Sequence, residues 1–155
     1  MLVADANTIA NGLSQMGTAF MLRGDHQLVE GGSIDYHECV DADLIALQWK
    51  DDEQVWSFTE LGSAVFEILK GRAALTQRAR EILGDNPRRS RVTAAMRYAL
   101  HLACLFGHLE WAMYPASFKR LAALDLLTRD EEGWATPTKL GREANRLIDQ
   151  DEAYS

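Results

Sequence analysis

"WSFTELGSAV" at residues 56–65 is echoed by "WATPTKLGREA" at residues 134–144. Each stretch opens on Trp, passes through a short extended segment and ends in Thr-x-Leu-Gly ahead of helix-forming residues. The second Thr and the second Gly each stand 79 positions after the first. A chain that writes the same strand-to-helix junction twice is expected to contain two similar units.

The residues around each junction extend the repeat. In "LIALQWKDDEQVWSF", residues 44–58, two β-rich runs flank a charged turn. Pairing Lys50 with Glu53 puts Ile45, Leu47, Trp49, Trp56 and Phe58 on one face, and Ala46, Gln48, Val55 and Ser57 on the other. Thr59 then stands at an N-cap position, and Leu61, Val65, Ile68 and Leu69 follow at helical spacing. The later copy has "LLTR", the turn "DEEG", "WAT", the cap Thr138, and then Leu140, Ala144, Leu147 and Ile148 at the same four offsets. Before each hairpin an apolar helical segment ends in Asp ahead of Leu: Asp43 in "CVDADLI" and Asp125 in "FKRLAALDLL". Asp tolerates the left-handed conformation that a helix-to-strand corner requires. Hairpins over residues 44–58 and 126–137, each feeding a helix at Thr59 or Thr138, are the structural expectation.

A helix, an Asp corner, a strand, a charged turn, a strand and a T-x-L-G helix resemble the C-terminal half of a winged-helix domain. Residues 117–148 match that form, and residues 34–70 match it with a wing three residues longer. The resemblance implies a mainly α fold with two small β-hairpins (α+β), as two tandem winged helices: residues 1–70, a connector over 71–86, and residues 87–155. The helices such units need are then placed by periodicity. Residues 5–22 are expected as one helix with Ile9, Leu13, Met16, Phe20 and Leu22 inward and Gly24 closing it. A short turn or helix near residues 26–29 precedes a helix after Ser33. In the second unit, Pro87 or Ser90 opens a long helix through Phe106, residues 108–113 form a short helix, and Pro115 starts the third. The helix after Thr59 is expected to continue to about Leu83, unless Gly71 kinks it.

Length and composition agree with a folded chain: 155 residues, 47% hydrophobic, 25% charged and three prolines. The first residues lack a basic n-region and an apolar h-region, and no apolar run approaches membrane-spanning length, so a soluble cytoplasmic protein without membrane association is expected. Cys39 and Cys104 lie far apart without CxxC spacing, which fits reduced thiols. Net charge is −7, unevenly distributed: residues 1–69 carry 2 basic and 12 acidic side chains, residues 70–97 carry 8 and 2, and residues 98–155 carry 6 and 9. A phosphate-binding surface therefore belongs near the middle of the chain.

No nucleophile elbow, phosphate loop or HExxH motif occurs, so no enzymatic activity and no cofactor are expected. His101, Cys104 and His108 fall at i, i+3 and i+7, a spacing that offers metal ligands, but a buried apolar helix carrying two histidines is the commoner case and no metal is expected. "YALHLACLF", residues 98–106, is apolar all round; it is expected to bury Leu102 and Phe106 at a seam between the copies or in a homodimer. Trp49 and Trp56 either clamp the first wing onto helices or anchor a protein partner.

Two functions remain in view. As a DNA-binding regulator, which the resemblance implies, the third helix of the second unit would present Ser117, Lys119 and Arg120 to the major groove of double-stranded DNA, with Arg88, Arg89 and Arg91 on phosphates. The plain alternative for those arginines is a solvated helix start. As an acidic protein-interaction module, similar to adaptors of chromosome-organising complexes or phage-type inhibitors of host machinery, the chain would bind protein and leave DNA alone. Wings carrying Asp51, Asp52 and Glu53, or Asp130, Glu131 and Glu132, favour the second function.

Overall fold

The computed structural model describes residues 2–23 and 34–151. The chain is mainly helical with two small antiparallel sheets and divides into two units, residues 1–73 and 74–155, each with its own core.

In the first unit, helices α1 (Leu2–Gly12), α2 (Gln15–Leu22) and α3 (Ile34–Asp41) precede the hairpin β1 (Ile45–Lys50) and β2 (Glu53–Phe58) and the start of α4 (Glu60–Leu83). The single helix expected over residues 5–22 is in fact two, because Ser14 ends one and caps the next. Its Oγ accepts from Gly17 N at 3.0 Å, while its own N–H and hydroxyl donate to the Glu38 carboxylate at 2.8 and 2.5 Å. The break rotates Met16 and Leu22 outward, against expectation, and buries Phe20 and Met21 beside Cys39, Leu44 and Val65. Expectations for Gly24 and residues 26–29 lie outside the described residues.

The first hairpin has the expected register, Lys50 opposite Glu53 and Leu47 opposite Trp56. Its loop is two residues long, and Asp51 and Asp52 both adopt positive φ, 51° and 63°. That is the conformation of a type I′ turn, whose twist matches the flanking strands.

The second unit contains the last part of α4, a 3₁₀ turn (Pro87–Arg89), α5 (Ala94–Phe106), β3 (Leu109–Glu110), a 3₁₀ turn (Trp111–Met113), α6 (Pro115–Ala123), β4 (Leu127–Arg129), β5 (Trp134–Pro137) and α7 (Lys139–Gln150). The long helix starts neither at Pro87 nor at Ser90. Thr93 caps it, accepting from Met96 N at 3.3 Å. The expected short helix at 108–113 is instead strand β3 and a 3₁₀ turn, because β3 pairs with β5 and completes a sheet of order β3-β5-β4. Helix α5 buries Met96, Ala99, Leu100 and Ala103 against Phe118, Leu121, Leu126 and Leu140. Phe106, expected to be buried, lies on the other side of α5 and is 64% exposed; Leu102 is half-buried.

The repeated residues form one lock, built twice. Asp43 and Asp125 turn the chain at φ 57° and 59°, as their position before Leu implied. Thr59 Oγ1 donates to Asp43 O at 2.6 Å and accepts from Gly62 N at 3.0 Å, and Thr59 N donates to Leu44 O at 3.0 Å. In the second unit Thr138 Oγ1 donates to Asp125 O at 2.5 Å and accepts from Gly141 N at 3.0 Å, and Thr138 N donates to Leu126 O at 3.1 Å. One hydroxyl thus caps the helix and ties it to the corner before the wing.

Candidate functional site

Pro115 has no N–H to lose at the first position of α6, and Phe118 and Leu121 anchor one side of that helix in the core. The other side leaves Ala116, Lys119, Arg120 and Ala123 exposed in a stripe at helical spacing. Two cations and two methyl groups occupy it, with no carboxylate. Ser117 is half-buried at its edge.

Arg88, Arg89 and Arg91 are all exposed, and they are mounted on a pinned segment. Asn86 Oδ1 accepts from Arg88 N at 2.9 Å, Arg89 N donates to Asn86 O at 3.0 Å, and Ser90 Oγ accepts from Val92 N at 3.1 Å. Arg91 and the end of α6 share a shallow cleft, lined also by Arg78, Glu81, Ile82, Ala123, Leu124 and Asp125, so two arginines and two carboxylates border it. Ala123 and Leu124 stand one turn after Arg120, so the cleft continues the helix stripe toward the arginine segment.

Other cations of this unit are engaged to different degrees, and the exposed Arg80, Lys139 and Arg142 also have no salt bridge among the described residues. Arg78 bridges Asp125 at 3.0 Å, and Arg146 holds Glu143 with two hydrogen bonds, one of them 2.9 Å from Nε. Those bonds, with a further one of 2.8 Å from Thr76, hold the Glu143 carboxyl below its usual range despite partial burial. Arg129 lies 5.1 Å over the Trp111 ring. Arg88, Arg89, Arg91, Lys119 and Arg120 have no carboxylate partner among the described residues. The second wing stays acidic. Its Asp130 Oδ1 accepts from Glu132 N and Trp134 N at 3.0 and 2.8 Å, and Gly133 supplies the positive φ, 87°, that closes the turn.

The remaining candidates lie elsewhere. Trp49, near the tip of the first wing, is 69% exposed, so it does not clamp the wing onto helices; Trp56, across from Leu47, is half-buried against the core of its unit. His101, Cys104 and His108 do not converge, because α5 ends at Phe106 and Gly107 turns the chain at φ 82°. His101 Nδ1 faces Asp149 at 3.8 Å, and His108 meets the Trp134 ring edge-on at 4.7 Å. Burial pushes the Cys104 thiol up, so the sulfur is held in its protonated form. No helix among the described residues is long and apolar enough to cross a membrane.

Sequence reasoning found the cations but missed the stripe they share with Ala116 and Ala123. Its signal was available in the 3,4 spacing of small and basic residues opposite Phe118 and Leu121. Compared with protein-family models, curated proteins and solved structures, the chain finds no match.

Proposed function

We propose that the chain is a tandem winged-helix protein that binds double-stranded DNA through its second unit. Helix α6 enters the major groove with Lys119 and Arg120 toward base edges, and Arg88, Arg89 and Arg91 hold the flanking phosphates. The carrying observation is the set of five exposed cations without carboxylate partners, on a helix stripe and a pinned turn near its C-terminal end. An unpaired surface cation neutralises a phosphate with release of a counterion and no internal bridge to break. The methyl groups of Ala116 and Ala123 let the helix backbone approach the groove closely. The order helix, strand, turn, helix, hairpin, helix in the second unit, with the extra strand beside β5, supports the winged-helix assignment. The acidic wing lies outside the contact surface and limits nonspecific affinity.

Titration of a labelled duplex pool at low salt tests the proposal: the native chain binds, and the Lys119→Ala/Arg120→Ala double variant loses sequence preference and most affinity. No duplex binding by the folded native chain would reject it. A second function, protein interaction through the first wing, is favoured by the exposure of Trp49 beside Leu47, 69% and 43%. Retention of a protein partner by the native chain, and its loss with Trp49→Ser, is the corresponding test.

A further inference from the structure

We propose that the duplex taken by α6 carries T·A pairs three base-pair steps apart with G·C pairs between them, and that Ala116 and Ala123 read its two ends. The inference rests on the DNA-binding function proposed above and adds a base sequence to it. It follows from where four exposed side chains sit around one helix. With Ala116 as reference and about 100° per residue, Ala123 returns to within about 20° of it, Lys119 falls about 60° to one side and Arg120 about 40° to the other. Phe118 and Leu121, both fully buried in the core, fall at about 200° and 140° on the same scale. The two alanines therefore point straight away from the core, and the long cations flank them.

Side-chain length decides what each position can touch. On the line of closest approach each alanine offers a single methyl group, so the backbone of α6 comes near enough to the groove floor for both methyls to meet base edges. The apolar group on that floor is the C5-methyl of thymine, which Ala contacts directly. Ala116 and Ala123 are separated by about 10.5 Å along the helix at about 1.5 Å per residue. Three base-pair steps of about 3.4 Å cover about the same length. Both methyls can then meet thymines at once, on either strand, at the first and last pairs of a four-pair core. Lys119 and Arg120 reach from the two sides to the pairs between. Both side chains only donate, and guanine presents two neighbouring acceptors, O6 and N7, where adenine presents one acceptor and one donor. G·C pairs at the centre therefore suit the cations, and T·A pairs at the ends suit the methyls.

Fluorescence anisotropy of the full chain with three sets of short labelled duplexes, in a constant flank and at low salt, tests this. One set carries every four-pair core with T·A ends and a G·C centre. The second has deoxyuridine in place of both core thymines, which removes the methyls and keeps pairing and phosphates. The third has G·C ends and an A·T centre. The best member of the first set binds at least about 5-fold tighter than any member of the third. Its deoxyuridine counterpart binds about 15-fold more weakly, about 4-fold for each methyl lost. Ala116→Gly reduces that loss to about 4-fold, because one methyl is left to read its thymine. The deoxyuridine comparison needs only the native chain, so a variant that fails to fold does not remove the test. Duplex binding that deoxyuridine does not weaken overturns this inference and leaves DNA binding through α6 standing. Tightest binding to the third set, or an undiminished deoxyuridine effect in folded Ala116→Gly, overturns it likewise. Absence of binding to every duplex overturns both this inference and the function beneath it.

Discussion

Gly62 lies against the carbonyl of Leu44 so closely that a Cβ on the glycine would fall 1.7 Å from the oxygen. Gly141 stands in the same relation to Leu126, at 1.9 Å. The repeat ends in glycine because the helix after each wing must pass over the backbone of the corner that leads into that wing. Ala is the better helix former, by about 1 kcal/mol, yet no rotamer change relieves a clash with backbone. Gly62→Ala and Gly141→Ala should each destabilise their own unit by about 2–4 kcal/mol. Gly71→Ala, in α4 with nothing within 4 Å of its would-be Cβ, should stabilise by about 0.5–1 kcal/mol. Urea denaturation of the three variants reads both signs, and equal effects at all three positions would contradict the close approach.

The threonine hydroxyls should matter beyond helix capping. Thr138→Val keeps the shape but leaves the Gly141 N–H without its cap acceptor and the Asp125 carbonyl without the hydroxyl donor. A loss of about 1–2 kcal/mol is expected, and Thr138→Ser should recover most of it. The same pair of substitutions at Thr59 should behave alike, since its bonds to Asp43 and Gly62 repeat the arrangement. Thermal melts of the four variants check the equivalence of the two locks.

Local chemistry explains what was legible in the sequence. Both hairpins, the Lys50 to Glu53 register, the Asp corners and the Thr caps follow from short-range periodicity and turn preference, and all stand where the sequence put them. The break at Ser14 was hidden because the carboxylate that satisfies its N–H belongs to Glu38, 24 residues away. Strand β3 is two residues long and exists through its pairing with β5, so its own residues carry no strand signal. Phe106 was misplaced for a different reason. An all-apolar helix does not state which side meets the core, and α6 and α7 take the side of Met96, Leu100 and Ala103. Of the candidate site, the basic residues were visible one by one, while their shared lack of carboxylate partners depends on where Asp125 and Glu143 bond.

Acid should weaken the second unit through Glu143. Hydrogen bonds from Arg146 and Thr76 hold its folded-state pKa below the ordinary 4.5. A carboxyl depressed in the folded state contributes stability above its unfolded pKa and loses it as pH falls through the folded value. Glu143→Gln should therefore lower the melting temperature at pH 7 and narrow the gap to the native chain as pH drops below about 4.5. Melts between neutral pH and pH 3 measure this. A gap that stays constant across the range would show that the ion pair contributes nothing to the acid limb.

Salt dependence should separate the two groups of cations in the proposed interface. If Arg88, Arg89 and Arg91 each neutralise one phosphate, replacing all three with Gln removes about 2.7 from the magnitude of the slope of log K against log salt, at roughly 0.9 per contact. Affinity should fall for every duplex alike, since phosphates carry no sequence information. Lys119→Gln and Arg120→Gln should change the slope by at most the same amount per residue, yet should also compress the difference between preferred and random duplexes, because α6 alone reaches base edges. Reversing the wing charge, with Glu131→Lys and Glu132→Lys, should strengthen binding to all duplexes and steepen the slope. Those two carboxylates are exposed on the hairpin that follows α6, where they repel the same polyanion. Unchanged affinity in the wing variant would mean that bound DNA lies beyond the electrostatic reach of β4 and β5.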